Sequence, residues 1–160
     1  MTADLSNQKL IPVLAWSAAA AFVVSWFLPV IQDVPGWMAF RYALAPLIPY
    51  RSAGTAGTAG WEDTVPQVMS ALTNVVFVIL FVLWAVKQSP RPGLHVRITL
   101  ACLLMNLYWL VTAWREDELA SLLPGYYLWL GAFALFAAVA GLIAASTRRT
   151  SKTPMAGTPA

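Results

Sequence analysis

The chain has 160 residues, of which 59% are apolar and only 11% are charged. Soluble globular domains average about 25% charged and about 45–50% apolar residues, so this composition argues against a soluble domain and favours a membrane protein. The single cysteine excludes an internal disulfide and zinc sites of the Cys₄ or Cys₂His₂ kind. The formal charge of +3 is small, and its distribution gives no indication of nucleic-acid binding.

Four uncharged segments predict membrane-spanning helices, at residues 10–31, 65–86, 98–114 and 126–146. A span needs about 17–25 apolar residues, and the third segment is the shortest. Soluble core helices are rarely apolar all round. The first segment exceeds the apolar region of a signal peptide, so we expect a retained anchor. The predicted fold is therefore an all-α membrane protein, a bundle of four transmembrane helices formed by residues 10–146.

Charged residues predict the orientation of this bundle. The N-terminus, the second loop and the C-terminal tail share one side and hold seven of the ten basic residues. The other side holds three basic residues and six of the seven acids. The positive-inside rule places residues 1–9 and 147–160 in the cytoplasm, and the Thr-, Pro- and Gly-rich tail is expected to be disordered. Residue usage compatible with a GC-rich bacterium favours the bacterial inner membrane.

The external loop at residues 32–64 is the longest connection. Trp37, Phe40 and Leu44 recur at helical spacing, which predicts a short helix in the outer interface. The alternative is a loop that rests on lipid. The following segment, residues 54–60, contains only Gly, Thr and Ala and is expected to be a flexible tether.

Two asparagines lie near the middle of neighbouring predicted spans, Asn74 in the second and Asn106 in the third. An amide in hydrocarbon is costly unless it is hydrogen-bonded, so the two are expected to bond each other or partners such as Thr73 and Ser70. They would then hold helices together. In the alternative interpretation, Asn74, Asn106, Tyr108 and Trp109 line a polar ligand site.

Small residues form two predicted packing ridges. Ser17, Ala21 and Ser25 lie on one face of the first span, and Ala137, Gly141 and Ala145 on one face of the fourth. Such ridges let helix backbones approach closely, either inside the bundle or against a partner helix.

No residue pattern indicates catalysis, a cofactor or a metal site. The four predicted spans contain no ionisable Asp, Glu, Lys, Arg or His, which argues against a proton-coupled transporter, and no base lies near their serines. His95 falls in the predicted cytoplasmic turn, where a structural or solvated role is expected, and Cys102 in an apolar run is expected to be a core residue. Acids at residues 116–118 predict a solvated edge rather than a cation site. We therefore expect a protein that is not an enzyme.

The sequence supports two hypotheses about function. The first is an accessory or structural subunit that packs against other membrane subunits, or against itself, and against lipid. The second is a small bundle that binds a lipid or another ligand near Asn74 and Asn106. The direction in which the asparagines point separates them: towards each other in a tight bundle, or into a cavity.

Overall fold

The computed structural model describes residues 2–47, 61–86 and 92–150. This part of the chain is mostly helical. It contains the α-helices α1 (Thr2–Ser25), α2 (Gly36–Ala43), α3 (Trp61–Ala85), α4 (Pro92–Arg115) and α5 (Pro124–Thr150), and a 3-10 turn at Leu119–Ser121. Two short antiparallel strands, β1 (Pro29–Ile31) and β2 (Val34–Pro35), form a hairpin between α1 and α2.

Three of the described helices are long and apolar enough to cross a membrane, over Thr64–Ala85, Gly93–Arg115 and Pro124–Thr147, and a shorter apolar helix covers Leu10–Ser25. The helix α5 is central, because α1 and α4 both pack mainly against it, while α3 packs against α4. The fold is therefore compatible with the predicted all-α membrane bundle. The hairpin, α2 and the start of α5 lie at one end of the bundle, which we call the hairpin end.

The first predicted helix ends earlier than its uncharged run suggested. Instead of continuing to residue 31, α1 ends at Ser25, whose hydroxyl donates to the carbonyl oxygen of Phe22 at 2.7 Å. Pro29 and Pro35 then enter extended strands, because proline lacks the N–H that a helix interior needs. At its other end α1 begins at Thr2, so residues 2–9 also belong to this helix.

The last two helices are longer than predicted. Pro92 and Pro124 each occupy a first helical position, where a missing N–H costs nothing because that group has no helical partner. Because α4 begins before residue 98, His95 lies in a helix and not in a turn. The first residues of the predicted disordered tail are helical, since α5 ends at Thr150. The predicted tether at 54–60, the loop residues 87–91 and residues 151–160 lie outside the described residues.

The hairpin was not predicted from the sequence. Pro29 pairs with Pro35 and Ile31 with Val34, and the chain segment before α5 adds a third edge to it. Ile31 forms a bridge with Leu122, and the N–H of Leu123 donates to the carbonyl oxygen of Val30 at 3.1 Å. Since these partners lie about ninety residues apart in sequence, the hairpin joins α1 directly to the start of α5.

The predicted short helix exists as α2, and it is joined to the end of α1. The N–H groups of Gly36 and Trp37 donate to the carbonyl oxygens of Leu28 and Trp26, at 3.1 and 3.0 Å. These contacts satisfy backbone groups that the ends of both helices would otherwise leave unpaired. A Cβ atom at position 36 would lie 2.5 Å from the carbonyl oxygen of Ser25, so only glycine permits this approach.

Phenylalanines from three helices fill the middle of the bundle. The ring of Phe77 in α3 stacks on Phe22 in α1, with centroids 4.4 Å apart and an angle of 13° between the planes. It also lies 5.0 Å from the rings of Phe133 and Phe136 in α5. All four side chains are at most 5% exposed. This aromatic cluster joins α1, α3 and α5.

The two predicted ridges only partly coincide with the buried faces of α1 and α5. On α1, Ser25 is buried and Ala21 half-buried, but Ser17 is exposed. The completely buried small residues of α1 are instead Ala15 and Ala18, both 0% exposed. On α5, Ala137 is buried, Gly141 is half-buried and Ala145 is exposed. The helices are apolar all round, so the sequence alone did not indicate which face would turn inwards.

Replacing Gln32 with glycine should stabilise the hairpin. Gln32 has a φ of 47°, in the left-handed region that disfavours side chains with a Cβ. We expect Gln32→Gly to raise the free energy of unfolding by about 0.5–1 kcal/mol, measured by thermal unfolding in detergent. Asp33→Gly is the matched control: its φ is not positive, so glycine should give no gain there. Equal effects of the two substitutions would contradict the argument.

Candidate functional site

One face of α3 carries polar side chains into the interior of the bundle. Gln67, Ser70, Ala71 and Asn74 follow one another at helical spacing, and Thr73 lies beside them. Ser70, Thr73 and Asn74 are each only 7% exposed. In an apolar interior such groups require hydrogen-bond partners, and the partners come from α4 and α5.

Asn106 of α4 is the centre of a network with α3. Its Oδ1 atom lies 3.2 Å from the hydroxyl of Ser70 and 3.1 Å from that of Thr73, and both can donate to it. The Thr73 hydroxyl also lies 2.6 Å from the carbonyl oxygen of Ser70. From α5, the hydroxyl of Tyr126 donates to the backbone carbonyl oxygen of Asn106 at 2.8 Å. One residue therefore links three helices, and its side chain is 0% exposed.

The amide nitrogen of Asn106 is not used in this network. Among the described residues, Nδ2 is the buried side-chain atom for which the structure gives no hydrogen-bond partner. Leaving a buried donor unpaired costs about 1–3 kcal/mol. The side chain thus contributes to the network through its acceptor oxygen.

Asn74 bonds α5 and not Asn106. The indole N–H of Trp129 donates to Oδ1 of Asn74 at 2.7 Å, and Nδ2 of Asn74 donates to the carbonyl oxygens of Ser70 and Ala71 at 3.3 and 3.2 Å. The two asparagines therefore lie in one polar region but have different partners. The sequence does not indicate a part for Trp129 in this region, because a tryptophan near a helix start is typical of the membrane interface.

A cavity of about 320 Å³ lies at the hairpin end, beside this network. Faces of α2 and α3 form two of its walls. Gly36, Ala39 and Ala43 follow one another at helical spacing on α2, and the small residues Ser70 and Ala71 line the cavity from α3. The hairpin residues Val30, Ile31 and Val34 form another wall. The cavity reaches the surface, because Ile31 and Tyr42 line it and are 42% and 48% exposed.

The described lining of the cavity is aromatic and uncharged. The rings of Trp26, Phe40, Trp109 and Trp129 line it, and those of Trp26 and Phe40 are 5.2 Å apart. Its polar groups come from Ser25, Tyr42, Gln67, Ser70 and Asn74. No charged residue of the described ranges is among the lining residues. Ligand sites are commonly cavities of about 300–1,000 Å³ with apolar walls and a few polar groups, and this one has that character.

The four residues of the predicted polar site separate into different positions. Asn74 and Trp109 line the cavity, whereas Asn106 lies behind Ser70, outside the lining. Tyr108 is 42% exposed and points away from the network, with its ring 5.3 Å from that of Trp109. Ser25 was predicted as a packing residue, and it also lines the cavity.

The remaining candidate residues lie away from the cavity. His95 is 4% exposed in α4, with its ring 5.6 Å from that of Phe136, and Cys102 is buried in the core. Glu116, Asp117 and Glu118 are exposed after the end of α4. Within residues 2–47, 61–86 and 92–150, no three His, Cys, Asp or Glu side chains come together in a way that could hold a metal ion.

Comparison with known proteins yields no relative. No protein-family model matches the chain, and neither a curated protein nor a solved structure is similar to it.

The bond between Trp129 and Asn74 should stabilise the packing of α3 on α5. We expect Trp129→Phe, which keeps the ring and removes the N–H, to lower the free energy of unfolding by about 1–2 kcal/mol, because Oδ1 of Asn74 loses its donor. A double-mutant cycle with Asn74→Leu should give a coupling energy of about 0.6–2 kcal/mol. The free energies come from unfolding in mixed micelles. Additive effects of the two substitutions would show that the bond contributes nothing.

Proposed function

We propose that the chain crosses the membrane four times, with both termini in the cytoplasm and the hairpin end outside. Three helices have the length and composition of spans. The fourth, α1, has an apolar part of about 24 Å over Leu10–Ser25, which is short for a bilayer core of about 30 Å. Its packing against α5 supports a crossing at the same depth. The basic residues at the opposite end support the orientation.

Cysteine accessibility tests this topology. Substitutions Asp33→Cys in the hairpin turn and Thr147→Cys near the end of α5 place one thiol at each end, in a Cys102→Ala background. In intact cells a membrane-impermeant maleimide should label position 33 and leave position 147 unlabelled until the membrane is opened. The reverse pattern would place the hairpin end in the cytoplasm, and labelling of both in intact cells would contradict a four-helix crossing.

We further propose that the protein binds a neutral amphipathic molecule of the membrane in the cavity at the hairpin end. The observation that carries this proposal is the direction of Asn74: it lines a cavity of about 320 Å³ and does not pair with Asn106. Each asparagine holds helices together through other partners, and Asn74 in addition faces this cavity. Small residues on facing walls of α2 and α3 leave the space.

Native mass spectrometry of the protein, purified from its own membranes in mild detergent, tests this binding. We expect a reproducible adduct of one lipid-sized molecule per chain. Ala39→Phe should remove the adduct, because Ala39 lines the cavity and a phenyl group would fill part of it. Ala134→Phe, at an exposed position on α5, is the matched control and should retain it. Equal adducts on all three proteins would place the bound molecule elsewhere.

A role as an accessory subunit is the second proposal, and an exposed small-residue face of α1 favours it. Ser17 and Ala20 lie one turn apart, and both are exposed. Small residues at such positions let a partner helix approach. In the same purification, this role would be supported by a second membrane protein that co-purifies in stoichiometric amount with the wild-type chain and is absent when Ser17→Leu is purified. If the protein instead purifies without any other protein and carries only the bound small molecule, the result would support the ligand-binding function alone.

A further inference from the structure

We infer that the molecule bound in the cavity has a neutral, carbonyl-bearing ring as its head, the chemistry of a prenylated quinone. This inference rests on the proposed ligand-binding function and deepens it. It follows from the size of the cavity, the absence of charge among its described lining residues, its aromatic walls and the hydrogen-bond donors that remain unused.

The size fits one substituted ring or two fused rings. An apolar cavity of about 150 Å³ accommodates benzene, and the cavity at the hairpin end is about twice as large, at about 320 Å³. A planar head also suits its walls, because the faces and edges of aromatic rings pack favourably against other rings. Trp26 and Phe40 form one such wall, and Trp109 and Trp129 contribute two further rings.

The described walls of the cavity supply no charge that could pair with a phosphate head. A buried phosphodiester needs a cation or several strong donors, because desolvating an unpaired charge is very costly. None of the described lining residues is charged. Arg41 lies between Phe40 and Tyr42 in sequence but is not among the lining residues, and its side chain is exposed. The described walls therefore favour a neutral head over that of an anionic phospholipid.

The hydrogen-bonding groups of the cavity favour a ligand whose head group accepts hydrogen bonds. Ser70 donates to Asn106, and Asn74 accepts from Trp129, so both are already engaged. Gln67 and Trp109 also line the cavity, and the side chain of neither forms a hydrogen bond with another residue of the described ranges. An indole N–H can only donate, and the amide of Gln67 supplies a second donor. Ring carbonyls accept from both, and an apolar tail can leave the cavity where it reaches the surface.

Binding of two model rings to delipidated protein tests this inference. Dimethylnaphthoquinone carries two carbonyls, and its methylated ring carbons cannot alkylate a thiol; dimethylnaphthalene has the same ring system without the carbonyls. Equilibrium dialysis should show saturable binding of the quinone, with a Kd about tenfold lower than that of the hydrocarbon, since two hydrogen bonds are gained. Ala39→Phe should abolish binding of both rings, and Ala134→Phe should change neither.

Variants of the two donors give the decisive comparison. Trp109→Phe combined with Gln67→Leu keeps the apolar walls and removes both donors, so the Kd of the quinone should rise about tenfold while that of the hydrocarbon stays unchanged. Thermal unfolding of the double variant without ligand shows whether its fold is retained. If it unfolds, each single variant should still weaken quinone binding selectively.

The outcomes separate this inference from the function on which it rests. An adduct from native membranes that depends on Ala39, together with quinone binding no tighter than that of the hydrocarbon, would overturn the quinone head and leave ligand binding standing. Displacement of the quinone by phosphatidylglycerol vesicles, sensitive to Ala39→Phe, would identify a phospholipid site and also overturn the inference. Absence of any adduct and of any ring binding would contradict both.

Discussion

Phe77→Ala should be among the most destabilising single substitutions in the bundle. Phe77 is 2% exposed and contacts aromatic rings from two other helices, at centroid distances of 4.4 to 5.0 Å. Replacing a buried phenylalanine with alanine in soluble proteins costs about 3–5 kcal/mol. Lipid tails are as apolar as the ring, so the cost here comes from lost packing rather than from transfer out of water. We therefore expect a loss of roughly 3 kcal/mol.

Unfolding in mixed micelles of denaturing and mild detergent measures this loss. Val78→Ala is the control, because Val78 is the next residue of α3 and is 47% exposed. It should change the free energy of unfolding by less than about 0.5 kcal/mol. Phe77→Leu keeps most of the side-chain volume, so its loss of free energy of unfolding should lie between those of Phe77→Ala and Val78→Ala. If Phe77→Ala were as stable as the control, the aromatic cluster would not be what joins α1, α3 and α5.

The long apolar helices were largely predictable from the sequence. Runs without charge indicated helices close to where α3, α4 and α5 lie, because a helix that meets lipid must be apolar on all sides. Their ends were less predictable. Pro92 and Pro124 lie outside the predicted spans at residues 98–114 and 126–146, but each is the first residue of a helix. A proline can break a helix or occupy its first position, and only its place in the folded helix distinguishes these two roles.

The end of α1 could not be predicted from the run of uncharged residues. Pro29, Val30 and Ile31 are as apolar as the helix before them, so no change in hydropathy marks Ser25. The strands they enter are stabilised by Leu122 and Leu123, which follow about ninety residues later. Pairing over such a distance leaves no local pattern. The helix α2, in contrast, carries the spacing of apolar residues that predicts it.

The sequence indicated which polar residues form the site but not which hydrogen bonds they make. Buried amides at similar depth pointed to Asn74 and Asn106, and the structure places both in one polar region. Their partners depend on how each helix is rotated about its axis. A helix that is apolar all round contains no periodicity to indicate that rotation, so the sequence could not show that Trp129 bonds Asn74 or that Tyr108 points outwards.

The cavity results from the same geometry that holds the hairpin in place. The hairpin supplies three of its lining residues, and the contact of the hairpin with the start of α5 fixes where they lie. Gly125 is the point of closest approach. A Cβ atom there would lie 2.5 Å from the carbonyl oxygen of Pro29 and 2.8 Å from that of Leu28. Both are backbone atoms, so relief requires the hairpin itself to move.

Gly125→Ala should therefore destabilise the protein by about 1–3 kcal/mol, the usual cost of overpacking, and should weaken ligand retention by displacing the hairpin wall of the cavity. Gly131→Ala is the matched control on the same helix, because nothing lies within 4 Å of its Cβ position. Alanine there should stabilise the helix by up to about 1 kcal/mol. Thermal unfolding gives the stabilities, and native mass spectrometry gives the retained adduct. We therefore expect Gly125→Ala to lower the stability and Gly131→Ala to raise it. A gain in stability for both would mean that the hairpin does not press against the start of α5, and the cavity would then lack the wall on which the proposed function depends.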